Sequence, residues 1–102
     1  MQFEELNLAV IGWAKERGIY QHSTAQAQLL KAFSELGELA DAEITNDHDA
    51  RIDAVGDTLV CLINYCAMRG ITLSECLRFA YGVIKDRKGH MVPGGAFVKE
   101  KS

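Results

Sequence analysis

A chain of 102 residues, 48% hydrophobic and 25% charged, has the balance of one folded domain and excludes a disordered or low-complexity polypeptide. Its net charge of −3 excludes the electrostatic footprint of a general nucleic-acid-binding protein. Glu4 and Glu5 stand where a targeting segment would carry bases, and the most apolar stretch, Thr58 to Met68, is too short to span a bilayer, so a cytoplasmic protein without a membrane partner is expected.

The first predicted helix covers residues 3–17, with Phe3, Leu6, Val10 and Trp13 at helical spacing and Gly18 placed to stop it. A short loop should follow. Ser23 with Gln26 three residues on has the form of a capping box and opens a long helix over 24–44. The turn residues Asn46 to Asp49 then intervene, with Asp49 placed to cap a third helix over 50–69 that Gly70 ends. Thr72 and Glu75 form a second capping box for a helix over 73–88, closed by Gly89, and residues 90–102 read as an irregular tail. Strand-type alternation is lacking. The expected fold is therefore all-α, a four-helix-type bundle in a single domain over 1–102. A domain this small buries only about 60 to 65% of its unfolded surface, so completion of the bundle by oligomerisation is expected.

Cys61, Cys66 and Cys76 lie in apolar helical stretches, match no zinc spacing and read as reduced core thiols. His22, His48 and His90 are scattered through loops and read as surface residues. The charge distribution is uneven. From Glu35 to Asp57 the acids Glu35, Glu38, Asp41, Glu43, Asp47, Asp49, Asp53 and Asp57 meet one base, Arg51, whereas Lys85, Arg87, Lys88, Lys99 and Lys101 near the end meet only Asp86 and Glu100. A cation-seeking segment and an anion-seeking segment in one chain suit a metal-bound polyphosphate; solvated helix faces would give the same pattern.

On the second predicted helix Leu29, Phe33, Leu36 and Ala40 share one face, and Gln28, Lys31, Glu35 and Glu38 lie nearly opposite. The i, i+3 spacing of Glu35 and Glu38 points two carboxylates into one volume, which suits an oxygen-loving divalent cation; a solvated face with a Lys31–Glu35 pair is the alternative. On the third helix Val55, Leu59, Leu62 and Cys66 define an expected core face, with Asp53, Asp57, Asn64 and Met68 on the other side. Val60 and Cys61 accompany that polar stripe, which places Asp57 and Asn64 in half-buried surroundings where a cation would relieve the carboxylate.

These residues resemble the all-α nucleoside triphosphate pyrophosphohydrolases of the MazG type. Leu30 to Ala42, LKAFSELGELADA, resembles that family's E-x-x-E helix, and Asp53 to Asn64, DAVGDTLVCLIN, resembles its E-x-x-D helix with the Gly-Asp pair in place. Trp13 to Gly18 and Ile84 to Glu100 are similar to the opening and closing segments of small single-domain phage and bacterial members, so the likeness covers nearly the whole chain. One position departs: Ala54 stands where the family pattern has a glutamate, and the nearest carboxylate is Asp53.

The resemblance implies a homo-oligomer, dimer or tetramer, that hydrolyses an NTP or dNTP between its α and β phosphates. Mg²⁺, with Mn²⁺ as a substitute, would be held by Glu35, Glu38 and Asp57, with Asp53 as a fourth candidate. Glu35 or Glu38 would also position or deprotonate the attacking water. Lys85, Arg87 and Lys88, at the end of the last helix, are expected to clamp phosphate together with Lys31. Trp13 and Asn64 are expected to contact the base or sugar. The competing expectations are a phosphoribosyl-ATP pyrophosphohydrolase-like enzyme and a non-catalytic helical interaction module with a degenerate metal site.

Overall fold

In the computed structural model, which describes residues 1–101, local capping chemistry decides where each helix begins. Gln2 and Glu5 form a capping box at the start of α1, Phe3–Glu16. Gly18 then takes a left-handed φ of 73°, which a side chain would resist, and its carbonyl accepts from the His22 amide at 3.0 Å. The expected loop is thus partly a one-turn helix, α2, Ile19–His22. Helix α3, Ala25–Ile44, is capped by Thr24, whose hydroxyl accepts from the Ala27 amide at 3.0 Å. The expected Ser23–Gln26 box is not formed, because the chain is still extended at Ser23, whose hydroxyl accepts from Gln28 Nε2 instead.

Helix α4, His48–Met68, is capped by Asp47 and not by Asp49; Asp47 Oδ1 accepts from the Ala50 amide at 3.1 Å. Arg51 reaches back to Glu43 and Asn46, both at 2.7 Å, and fastens the α3–α4 turn. The Thr72–Glu75 box forms as expected at the head of α5, Leu73–Ile84. That helix stops four residues short of its expected end at Lys88, because the segment beyond it enters a β-hairpin. The expected irregular tail contains β1, Gly89–Met91, paired antiparallel with β2, Phe97–Lys99, with Gly89 opposite Lys99 and Met91 opposite Phe97. Glu100 N donates to the Lys88 carbonyl at 2.7 Å, which continues the pairing. A Cβ at position 89 would run into the Val98 carbonyl and the Phe97 ring, so glycine is required there for the strands to close.

The core lies between the antiparallel helices α3 and α4, with α1 laid mainly against α4. Inward on α3 stand Ala25, Gln28, Ala32, Glu35, Leu39 and Ala42; buried on α4 are Ala54, Cys61, Ile63, Asn64 and Cys66. Alanine and cysteine at the contact let the two axes approach closely and leave room for polar groups between them. The sidedness expected from the apolar stripe of α3 is therefore inverted, whereas on α4 the expected core face is buried at Cys66, part-buried at Leu62 and exposed at Val55 and Leu59. Leu29, Leu36, Val55 and Leu59 are exposed, as is Phe33 at 66%, while the face bearing Gln28 and Glu35 points inward.

Helix α5 buries none of its residues, and Leu77, Phe79 and Tyr81 are all exposed. Ser74 donates to Glu4 at 2.6 Å and ties only the start of α5 to α1. One chain thus forms a bundle with a projecting arm, and its radius of gyration of 16.5 Å exceeds the ~13 Å of a compact chain this long. Among the described residues, no helix is long and apolar enough to cross a membrane.

Two of the three thiols are core groups, as expected, but Cys76 is exposed on α5. Burial and the neighbouring Cys76 thiol push Cys66 up to about 11. At pH 8 Cys66 is therefore held as the unreactive thiol. A disulfide reagent should therefore titrate Cys76 first, and Cys61 and Cys66 should react at comparable rates only after denaturation.

Candidate active site

The inward faces of α3 and α4 place Glu35 and Asp57 near mid-helix, with Glu38 one turn along α3. Glu35 and Asp57 are half-buried, and Glu38 is exposed. The Glu35 Oε2 atom is buried without a hydrogen-bond partner. Its carboxyl is held above the usual glutamate range, first by a hydrogen bond shared with Glu38, then by burial and by the charges of Glu38 and Asp57, with Lys31 opposing. Burial, offset by Lys31 and reinforced by Glu35 and Asp57, likewise raises Cys61, so these groups share one neighbourhood.

The structure thus brings together Glu35, Glu38, Asp57 and Lys31. It does not bring in Asp53, which is exposed and is absent from the charges acting on Glu35. Ala54, at 3% exposure, occupies the inward position on that turn, so the one-residue offset turns Asp53 away from the cluster. As the side chains stand, no group of three or more His, Cys, Asp or Glu among the described residues is gathered tightly enough to chelate a metal. The donor set nevertheless fits a hard divalent cation: the carboxylates offer only oxygen, and an orphaned oxygen beside like charges is stabilised by a cation.

Asp57 also borders a groove of about 380 Å³ lined by Leu6, Ala9, Val10, Trp13 and Val60. Trp13 is half-exposed there, with the Arg17 guanidinium 4.6 Å from its ring centroid. Asn64 does not face this space. It is 2% exposed, and its Oδ1 accepts from the Tyr20 hydroxyl at 2.7 Å, so the base or sugar contact expected of it gives way to an internal one. Burial raises the Tyr20 phenol, which keeps it a donor. Tyr20→Phe should cost about 1–3 kcal/mol by leaving a buried acceptor unpaired, read as a lower urea midpoint.

The expected clamp residues also lie elsewhere in the chain. Arg87 and Lys88 line two clefts formed wholly by residues 82–101, with Lys99 and Lys101, because α5 ends early and the hairpin carries them off the helix. Lys85 is the C-cap of α5. His22, His48 and His90 are exposed, as expected, but they lie at the end of α2, at the start of α4 and in β1, not in loops. Asn7 and Tyr20 were not singled out by sequence. Asn7 is buried on α1 with an unpartnered Oδ1, and its only sequence signal is an amide flanked by Phe3, Leu6 and Val10 at helical spacing.

No family model matches the chain. An uncharacterized 18.2 kDa protein from the rep-hol intergenic region of Haemophilus phage HP1 is 35% identical over 51 residues, half of this chain. The matched stretch spans 31% of that phage protein. Among solved structures, the cyanophage S-2L MazG-like pyrophosphohydrolase, bound to dGDP and three catalytic Mn²⁺ ions per active site, superposes with a TM-score of 0.74. The superposition covers 100% of this chain and 96% of that one at 19% identity. The all-α architecture therefore matches the MazG-like pyrophosphohydrolase fold.

Proposed function

We propose that this protein is a metal-dependent nucleoside triphosphate pyrophosphohydrolase, cleaving an NTP or dNTP to the monophosphate and pyrophosphate. The observation that carries the reading is the buried, unpartnered Oε2 of Glu35, set among Glu38 and Asp57 on two packed helices. A fold with no need for a ligand would neutralise or expose such a group.

Glu35, Glu38 and Asp57 would hold Mg²⁺ or Mn²⁺, and the exposed Glu38 side chain has the rotamer freedom to turn toward the other two. When bound, the metal offsets triphosphate charge and makes a water a better nucleophile at neutral pH. The chain's own residues do the rest. Glu35 or Glu38 orients the attacking water and accepts its proton, for which a carboxylate with a raised pKa is a suitable base. Lys31 meets phosphate charge beside Glu35. Trp13, half-exposed on the groove that Asp57 borders, offers a stacking surface for the base. Lys85, Arg87 and Lys88 contribute further phosphate contacts, and the exposed apolar faces of α3, α4 and α5 are covered in a homo-oligomer.

A panel of nucleoside triphosphates assayed for pyrophosphate with Mg²⁺ tests the reading. Release that is lost with EDTA and restored by Mg²⁺ or Mn²⁺ is expected. No release from any nucleotide, with no Mg²⁺-dependent thermal stabilisation by a non-hydrolysable analogue, would replace it with a binding module.

A further inference from the structure

We propose that the chain carries a second ligand site, for a small phosphate monoester, in the cleft where the ends of α1 and α4 meet the head of α3, with Lys15 and Arg69 holding the phosphate. The inference is independent of the pyrophosphohydrolase reading.

Its position separates this cleft from the carboxylate cluster. Ile11 and Lys15, one turn apart on α1, lie on the side of that helix turned away from Trp13, and the cleft shares no lining residue with the groove that Asp57 borders. Ala25 precedes Glu35 by ten residues on α3, and Met68 follows Asp57 by eleven on α4, so the cleft is set about 15 Å along the helices from the carboxylates.

The chemistry of the wall selects the ligand. Lys15 comes from α1 and Arg69 from the end of α4, and among the described residues neither is paired with a carboxylate. No Asp or Glu lines the cleft, whereas both clefts of the arm carry Glu100 on their walls beside their cations. The hydroxyls are committed as acceptors and still hold protons to donate. Ser23 Oγ accepts from Gln28 Nε2 at 3.1 Å, and Thr24 Oγ1 accepts from the Ala27 amide at 3.0 Å. Two cations and two hydroxyl donors with no anionic acceptor match a group that offers several charged oxygens and no proton, which is a phosphate dianion. The rest of the wall is Ile11, Ala67, Met68 and the Tyr20 ring. A cleft of about 760 Å³ is far larger than a free anion needs, and ligand sites of about 300–1,000 Å³ commonly pair an apolar wall with a few polar anchors. A phosphate attached to an organic body uses both parts. Tyr20 also fixes the back of the cleft, because its hydroxyl donates to the buried Asn64 at 2.7 Å.

Binding to the full chain in EDTA tests the proposal, since the carboxylate cluster then has no metal with which to draw in phosphate. The probes are a nucleoside monophosphate, its parent nucleoside, a sugar phosphate and inorganic phosphate, each followed by calorimetry and by the melting temperature. Both phosphate esters should bind saturably at millimolar concentration or below, and the nucleoside should not. The double variant Lys15→Ala, Arg69→Ala should bind the esters about tenfold more weakly or worse. Gln26→Glu is the second variant: an acid in the first turn of α3 favours the helix, so its loss of ester binding reports charge at the cleft and not misfolding. Glu35→Gln should bind the esters as the wild type does. A preference for the nucleoside monophosphate over the sugar phosphate supports the site with Tyr20 facing a base, and the reverse preference supports it with the hydroxyls facing a sugar. Esters that fail to bind, that bind equally to the wild type and to both cleft variants, or that lose their binding in Glu35→Gln would overturn the proposal.

Discussion

Glu35→Gln is expected to lower pyrophosphate release by about a hundredfold or more and, in metal-free buffer, to raise the melting temperature. The two effects have one cause. In the native state Glu38, burial and Asp57 hold the Glu35 carboxyl above its ordinary value of 4.5, so the folded protein keeps that proton to a higher pH than the unfolded chain does. The contribution to stability is fully present below the unfolded value and is lost as pH rises through the raised one. At neutral pH an ionised Glu35 would therefore disfavour the metal-free folded state, and a divalent cation at the proposed site would relieve it. An amide of the same shape removes both the repulsion and the ligand. Melting curves from pH 4 to 8, with and without Mg²⁺, should show a flatter apo profile for the variant and loss of its Mg²⁺ stabilisation. A variant that melts lower than wild type without metal, or that retains turnover, would show that Glu35 is a structural group.

Which parts of this molecule are legible in sequence follows from how local their causes are. The heads of α1 and α5 depend on side chains three residues apart, and the Thr72–Glu75 box was readable for that reason. Asp57 in half-buried surroundings was also readable, because Val60 and Cys61 accompany it on the same stripe of α4. Choice among neighbouring caps was not: Ser23 or Thr24, Asp47 or Asp49 are equivalent by residue type, and the path of the chain entering the helix decides between them. The sidedness of α3, and of α4 at Val55 and Leu59, failed for a different reason. Hydrophobic periodicity assigns large apolar residues to the chain's own core, yet here alanines and thiols make the close contact while Leu29, Phe33 and Leu36 are turned outward. The hairpin escaped because three-residue strands with exposed side chains lack the alternation of a half-buried sheet.

The outward face of α3 is the source of the second large effect. If the proposed homo-oligomer forms through this face, Phe33→Asp is expected to dissociate it, raising its dissociation constant at least thirtyfold and abolishing most of the proposed pyrophosphate release. A buried aromatic anchor at an interface contributes about 2 kcal/mol or more, and an unpaired carboxylate in its place adds a desolvation cost. Within the isolated chain the same substitution is nearly free, because Phe33 is 66% exposed. Sedimentation across a hundredfold range of concentration separates these cases: the wild type should hold its assembly where the variant falls to monomer. Because α5 buries nothing in one chain, the monomer should also melt less cooperatively, losing the contacts that hold its arm. A variant that remains oligomeric and active would place the subunit contact elsewhere and leave the exposed aromatic without a partner. An unchanged wild-type monomer at every concentration would remove the contact altogether, and with it the reason for leaving Leu29, Phe33 and Leu36 outside.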